Sequence, residues 1–341
     1  MSEKDFQLGG KIKVFPDDFI VEEVWKDRIC QINYSILDSL KDKILMRVQR
    51  KKEYLHFTLV KRDWETIRAI NRIRKRIRVS IKRFGISGMK DKRAYTAQRV
   101  SLWRGEGKKM IHLKLQDIKL KDFNYSDDRI TLGNAIGNQF TITIRDIPKS
   151  RDEILEILCR FNKLIMSRGV PNYFGPQRFG GHNADIGAAL IDGDLKKGTE
   201  LILDKIKPFL KSGGLEKIPK VFWYEKRMLN YLYKYPRDYA GALRKIPKRI
   251  LRLYTHSYQS HIFNEKLKKF LIEGDPPISI TTPGFDVPKM PELKTFSIER
   301  KSFLITRDFK TIKVKNGLAI LSFTLNKGEY ASTLLANLLD I

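Results

Sequence analysis

Gly85-Ile86-Ser87-Gly88-Met89-Lys90-Asp91-Lys92-Arg93-Ala94-Tyr95-Thr96-Ala97-Gln98 is the stretch around which the rest of the chain is arranged. Two glycines three apart predict a turn or tight loop, because glycine reaches backbone angles closed to other residues. Asp91 follows among Lys90, Lys92 and Arg93. Nearby positive charge favours the ionised carboxyl, so Asp91 is expected to stay charged well below neutral pH. An ionised carboxylate on a loop can act as a nucleophile or a base. Taken alone, the stretch also fits a solvated surface loop of mixed charge.

Outward from this loop, the pattern resolves into strands and a basic helix. Asp63 can cap a helix starting at Trp64. Trp64, Ile67, Ile70, Ile73 and Ile77 then form one apolar stripe. Ten basic and two acidic residues lie between Lys61 and Arg83. Arg72, Lys75 and Arg76 are candidate phosphate contacts on this helix, against the plainer reading of a solvated face. Residues 54–60 read as a strand, with His56 a satisfied strand residue. Residues 11–15 alternate, Pro16-Asp17-Asp18 makes a turn, and residues 19–24 resume as a strand. Beyond the loop, Val100 and Leu102 alternate with polar neighbours. Residues 137–146 alternate cleanly, so Asn138, Phe140, Ile142 and Ile144 share one face. An amide and an aromatic ring thus project side by side, although Phe140 also fits a plain core position.

Ser150-Arg151-Asp152-Glu153 is a capping box for a helix to Arg168, and Gly169 and Pro171 stop it. Residues 169–181 are rich in glycine and aromatics and lack either period, which predicts an ordered loop at a domain boundary. Residues 183–273 read as mainly helical, with the best helix from about Ser257 to Glu273. Residues 278–306 alternate short strands and proline turns. Asn316-Gly317 between Ile312/Val314 and Leu321/Phe323/Leu325 predicts a hairpin, and residues 330–339 a short helix. This tail is too small to bury its own core and should pack on the strand-rich first half. The expected organisation is therefore one domain from 1–169 and 309–341, interrupted by an insertion at 170–308.

At 341 residues, 42% of them hydrophobic, the chain can build ordinary cores. Its 67 Lys+Arg against 39 Asp+Glu give a formal charge of +28. That excess suits a polyanionic partner, since basic surface displaces counterions condensed on phosphates. No apolar run reaches the roughly 18 residues of a spanning helix, no lipidation motif is present, and residues 1–5 are polar with no signal-peptide core. Cys30 and Cys159 are the only cysteines, so no disulfide framework is implied and a reducing cytoplasm fits. The five histidines show no metal-ligand spacing. There is no dinucleotide fingerprint or Walker motif.

Five blocks together resemble the TruD family of RNA pseudouridine synthases. They are Asp18-Phe19-Ile20-Val21-Glu22-Glu23, the Asp91 loop with its Gly88-Met89-Lys90-Asp91 centre, Gly137-Asn138-Gln139-Phe140, the aromatic loop at 172–180, and residues 251–264. A weaker block lies at 325–331. The blocks span nearly the whole chain in family order. The resemblance implies an α+β fold: a pseudouridine synthase catalytic domain with a mixed or antiparallel sheet, interrupted by a TRUD-type insertion domain. It implies isomerisation of a specific uridine in tRNA, uridine 13, with Asp91 as catalytic nucleophile and Asn138, Phe140 and, less directly, Phe19 against the base. The implied enzyme is cytoplasmic, needs no cofactor or metal, and has tRNA as its partner, with no membrane and no obligate protein partner. Met89 departs from the Thr more often found there, Tyr95 from a small aliphatic, and the tail lacks an Arg-Glu pair after its leucines.

Pseudouridylation detaches uracil from ribose, rotates it and reattaches it through carbon, with no net redox change. The base must first leave its stack at a few kcal/mol, and a ring such as Phe140 can return roughly 1–3 kcal/mol by stacking. Asp91 could act at the ribose C1′ or at the base C6. Lys90 and Arg178 are the candidate basic partners of Asp91, and candidate RNA contacts. A non-catalytic RNA-binding protein explains the charge equally well but leaves the lone acid in a cationic loop without a reason. A methyltransferase would need a glycine-rich cofactor loop that is not found. A pseudouridine synthase acting at a different RNA position also fits.

Overall fold

The computed structural model describes residues 6–26, 28–211, 214–306 and 308–339; the polar stretch 1–5 lies outside them. The chain forms two compact units, one of Met1–Val170 with Leu304–Ile341 and the other of Pro171–Phe303.

The first unit is built on a sheet that is nine-stranded among the described residues. Its strands are β1 (Phe19–Trp25), β2 (Arg28–Ile29), β3 (Tyr54–Arg62), β4 (Phe84–Ile86), β5 (Tyr95–Trp103), β6 (Ile118–Ser126) and β7 (Gly137–Arg145), with the C-terminal hairpin Lys310–Lys315 and Leu318–Asn326. From the hairpin edge the order is Lys310–Lys315, Leu318–Asn326, β7, β1, β5, β3, β6, with β2 beside β1 and β4 beside β5. β1 and β5 run parallel and the other pairs antiparallel. The sheet is therefore mixed and the class α+β, as expected. Helices α1 (Ile36–Val48), α2 (Thr66–Ile77), α3 (Gly107–Met110) and α4 (Arg151–Ser167) accompany it.

Alternation along the strands decides what each face buries. Phe19 and Val21 of β1, Phe140, Ile142 and Ile144 of β7, and Leu321, Phe323 and Leu325 of the hairpin share one core with Ile154, Leu158, Phe161 and Ile165 of α4. The three hairpin residues are fully buried, worth about 1.5–3 kcal/mol each, which is why this short tail docks rather than frays. Further along the sheet, Leu55, Phe57 and Leu59 of β3 and Val100 and Leu102 of β5 pack with Ala69, Ile70 and Ile73 of α2.

Some local expectations change. Asp63 does not cap α2: it sits at φ +56° with its N–H on the Ala94 carbonyl, and Glu65 is the N-cap. The chain leaves β3 still tied to the Asp91 loop, so the helix starts only at Thr66. α1 and β6 carry no clear period. Ile36, Leu37, Ile44 and Val48 are exposed on α1, blurring its amphipathic pattern, and β6 has a register shift against β3.

The second unit is mainly helical. Helices Asn183–Ile191, Leu195–Leu203, Trp223–Lys234 and Lys248–Glu273 surround Ile186, Leu190, Met228, Leu251 and Tyr254. The last helix begins nine residues before the expected Ser257. Its first half buries Thr255, Ser257, Gln259 and Ser260, which break the apolar period but find partners. Gln259 Nε2, for example, donates to the Pro283 and Phe296 carbonyls. In the aromatic loop, Asn264 brackets the Phe174 main chain, accepting its N–H at 2.9 Å and donating to its carbonyl at 3.0 Å. Strands Ser279–Thr282 and Ile298–Lys301 pair antiparallel.

Candidate active site

The Asp91 loop joins β4 to β5. Gly85 and Gly88 do not lie at positive φ, so the backbone-freedom argument does not hold for either. Gly85 is required by space instead: a Cβ there would stand 2.2 Å from the Ile130 carbonyl oxygen. Side chains rising from the sheet and from α2 then hold the loop. Gln98 Nε2 donates to the Gly88 carbonyl at 2.9 Å. The Thr66 hydroxyl accepts the Lys90 N–H at 3.1 Å and donates to Gln98 Oε1 at 3.0 Å. Glu23, fully buried, accepts the Ser87 hydroxyl and the Arg99 N–H and pairs with Lys90 Nζ at 2.9 Å. Lys61, also fully buried, donates to the Asp91 carbonyl at 2.8 Å and approaches the Lys90 carbonyl at 3.5 Å. Burial pushes the Lys61 ammonium down to a pKa of about 8, with Asp91 opposing and Lys90 reinforcing the shift.

The Asp91 carboxylate faces outward, about half exposed, and its Oδ2 lies 2.7 Å from Lys13 Nζ. That ammonium also stands 4.0 Å over the Phe19 ring, a favourable placement for a cation on an aromatic face. Phe19 meets Phe140 edge to face at 6.1 Å, and Phe140 stacks on Phe323 at 5.5 Å. Strand register explains the grouping. β7 pairs Phe140 with Val21 and Asn138 with Glu23, so Asn138 and Phe140 share the face of β1 that bears Phe19, Val21 and Glu23. Asn138 Oδ1 is buried and bonded to no protein group, a condition that few native acceptors are left in.

Phe19 and Phe140 are only 5% and 7% exposed, and one face of Phe140 is occupied by Phe323. Lys90 is not the cation beside Asp91. Its side chain turns inward to Glu23 and is 9% exposed, which also removes it as a surface RNA contact. Adjacent residues on an extended loop point to opposite sides, and Glu23 captures the inward one. Arg178 donates to Ser260 Oγ and lies 5.6 Å from the Phe174 ring, partners within its own unit. Arg72, Lys75 and Arg76 are exposed on α2. Sequence reasoning missed Lys13, Glu23, Lys61 and Thr66. Lys61 had a signal: it follows Leu55, Phe57 and Leu59 at alternate positions of an apolar strand face. Lys13 had none. Among the described residues no group of three or more His, Cys, Asp or Glu is placed to hold a metal ion, and no helix is long and apolar enough to cross a membrane.

A family model described as tRNA pseudouridine synthase D (TruD) matches residues 3–279. A "Probable tRNA pseudouridine synthase D" of Methanosarcina barkeri is 33% identical over 287 residues, covering 78% of this chain and 61% of that protein. One of the same name from Pyrococcus abyssi is 32% identical over 335 residues, covering 92% of this chain and 75% of that protein. The chain thus spans about three-fifths of the length of some curated relatives it matches. The crystal structure of a candidate tRNA pseudouridine synthase D (TruD) from Methanosarcina mazei superposes with a TM-score of 0.77 at 25% identity, covering 98% of this chain and 94% of that one.

Proposed function

The chain belongs to the TruD family of tRNA pseudouridine synthases, and from that premise we propose that it isomerises a uridine in tRNA, uridine 13, to pseudouridine with Asp91 as nucleophile. The observation that carries this reading is the outward Asp91 carboxylate paired with Lys13 on a loop otherwise held from below. A carboxylate paired with an ammonium and projecting from an immobilised main chain suits attack on an electrophilic carbon. The unit holding the sheet serves as the catalytic domain, and Pro171–Phe303 as the family's insertion domain.

In this reading the uridine leaves its stack and enters beside β1 and β7. Asn138 Oδ1, a buried acceptor without a protein partner, takes the N3–H of uracil. Phe140 and Phe19 form the apolar wall. Asp91 attacks at the ribose C1′ or at C6 of the base, the carbon–nitrogen glycosidic bond breaks, the base turns and C5 bonds to C1′, and the bond to Asp91 is then broken to return the free carboxylate. The proton displaced from C5 ends on nitrogen, so the change is an isomerisation with no cofactor consumed. The exposed basic face of α2 contributes phosphate contacts, and the enzyme works in the cytoplasm. The +28 formal charge supports a polyanionic partner.

The test is to incubate the protein with unmodified tRNA and no cofactor, then map pseudouridine, alongside Asp91→Asn. The reading expects modification at one uridine and none with the variant, whose tRNA affinity stays near wild type. Modification at another position would keep the chemistry and remove uridine 13. Turnover by Asp91→Asn within tenfold of wild type would exclude Asp91 as the nucleophile.

A further inference from the structure

Lys61 is a fully buried cation whose hydrogen-bond partners are two main-chain carbonyls rather than a carboxylate. An ammonium taken out of water this way is costly. Its neighbours on the same strand face, Leu55, Phe57 and Leu59, are apolar and fully buried. A methionine would fill the same volume without that cost, so packing does not account for a lysine here. What the ammonium supplies is a set of donors directly beneath residues 90 and 91.

The other groups gripping the loop act elsewhere. Gln98 holds Gly88, Thr66 holds the Lys90 N–H, and Glu23 holds the Ser87 hydroxyl and the Lys90 side chain. Among the described residues Lys61 alone bonds the main chain of Asp91. Drawing that carbonyl down toward β3 sets the direction in which the Asp91 Cα–Cβ bond leaves the loop, which is outward, toward Lys13.

Resting on the reading of Asp91 as nucleophile, we propose that Lys61 is a positioning residue that aims the Asp91 carboxylate by holding its main-chain carbonyl from beneath. It touches no substrate. Its effect falls on the chemical step and not on tRNA binding, because a misplacement near 1 Å costs about a hundredfold in rate.

The experiment uses the full chain with Lys61→Met, which keeps bulk without donors, and Lys61→Gln, which restores a neutral donor. Hydrogen exchange of the amides at 87–94, single-turnover pseudouridine formation, tRNA affinity and melting temperature are read on each. The expected result for Lys61→Met is exchange faster by tenfold or more across the loop. Its single-turnover rate should fall about a hundredfold with tRNA affinity within twofold of wild type. Lys61→Gln should recover at least tenfold of that rate. Wild-type exchange in Lys61→Met, or no recovery in Lys61→Gln, overturns the proposal. If neither variant folds, Lys61 is a determinant of the fold and the positioning role is equally overturned. If the wild-type protein forms no pseudouridine in any tRNA, the catalytic reading fails, and the exchange data alone decide whether Lys61 orders the loop.

Discussion

Lys13 Nζ lies 2.7 Å from Asp91 Oδ2 although 78 positions separate the two residues. An ion pair this exposed contributes about 0–1 kcal/mol, so stability is a poor reason for it. Lys13 also sits at φ +57°, a left-handed conformation costing a non-glycine residue roughly 1–2 kcal/mol. Strain of this kind collects at functional sites. Lys13→Gly should therefore leave folding stability within about 1 kcal/mol of wild type, the relief of strain offsetting the lost pair. Its single-turnover rate should fall at least tenfold. A variant that keeps wild-type turnover would show that the pair is incidental.

Phe140→Leu separates core from site. The ring stacks on Phe323 and meets Phe19 edge-on, so the change should cost about 1–3 kcal/mol of stability. If Phe140 also carries the extruded uracil, the rate per folded molecule should fall a further tenfold to hundredfold. Melting temperature, tRNA affinity and single-turnover rate on the same preparation tell these apart. A protein that melts earlier yet turns over normally when folded would place Phe140 in the core alone.

Arg72, Lys75 and Arg76 project from α2, whose first residue, Thr66, bonds the Asp91 loop. Replacing all three by Ala should weaken binding to every RNA and flatten the slope of log K against log salt by up to about 3. Stability should hardly change, because none of the three is buried. An unchanged slope would mark the face as merely solvated.

The buried Lys61 makes a prediction about pH. Burial lowers its folded-state pKa from near 10.5 to about 8, in a field set by Asp91, Lys90, Asp63 and Glu65. Between those values the unfolded chain holds the proton that the folded state has released, so stability rises with pH through that window. The full shift corresponds to about 3 kcal/mol. Urea unfolding at pH 7 and pH 10 should therefore show wild type gaining about 1–3 kcal/mol relative to Lys61→Met. A relative loss at pH 10 would mean the ammonium is stabilised where it lies.

Period-two alternation made β1, β7 and the strand Leu318–Asn326 legible, since each buries one face more deeply than the other, whereas β3, buried on both faces, was legible as a short apolar run. The capping box at Ser150 marked α4 in the same local way. α1 and the first half of the helix Lys248–Glu273 were not legible. One carries apolar residues on its open face and the other buries polar residues that find partners across the fold.

The α+β class came from the resemblance to a known family, while the sequence by itself determined the strand bearing Asn138 and Phe140 and an acid set in a loop of cations. These are properties of neighbouring residues and repeat at the spacing of a strand or a turn. Only the tertiary structure decided which cation meets that acid. Lys90 stands next to Asp91 in the chain yet faces Glu23, while Lys13, from the segment preceding β1, takes the carboxylate. Adjacent side chains on extended backbone diverge, and the parallel pairing of β1 with β5 brings distant ones together.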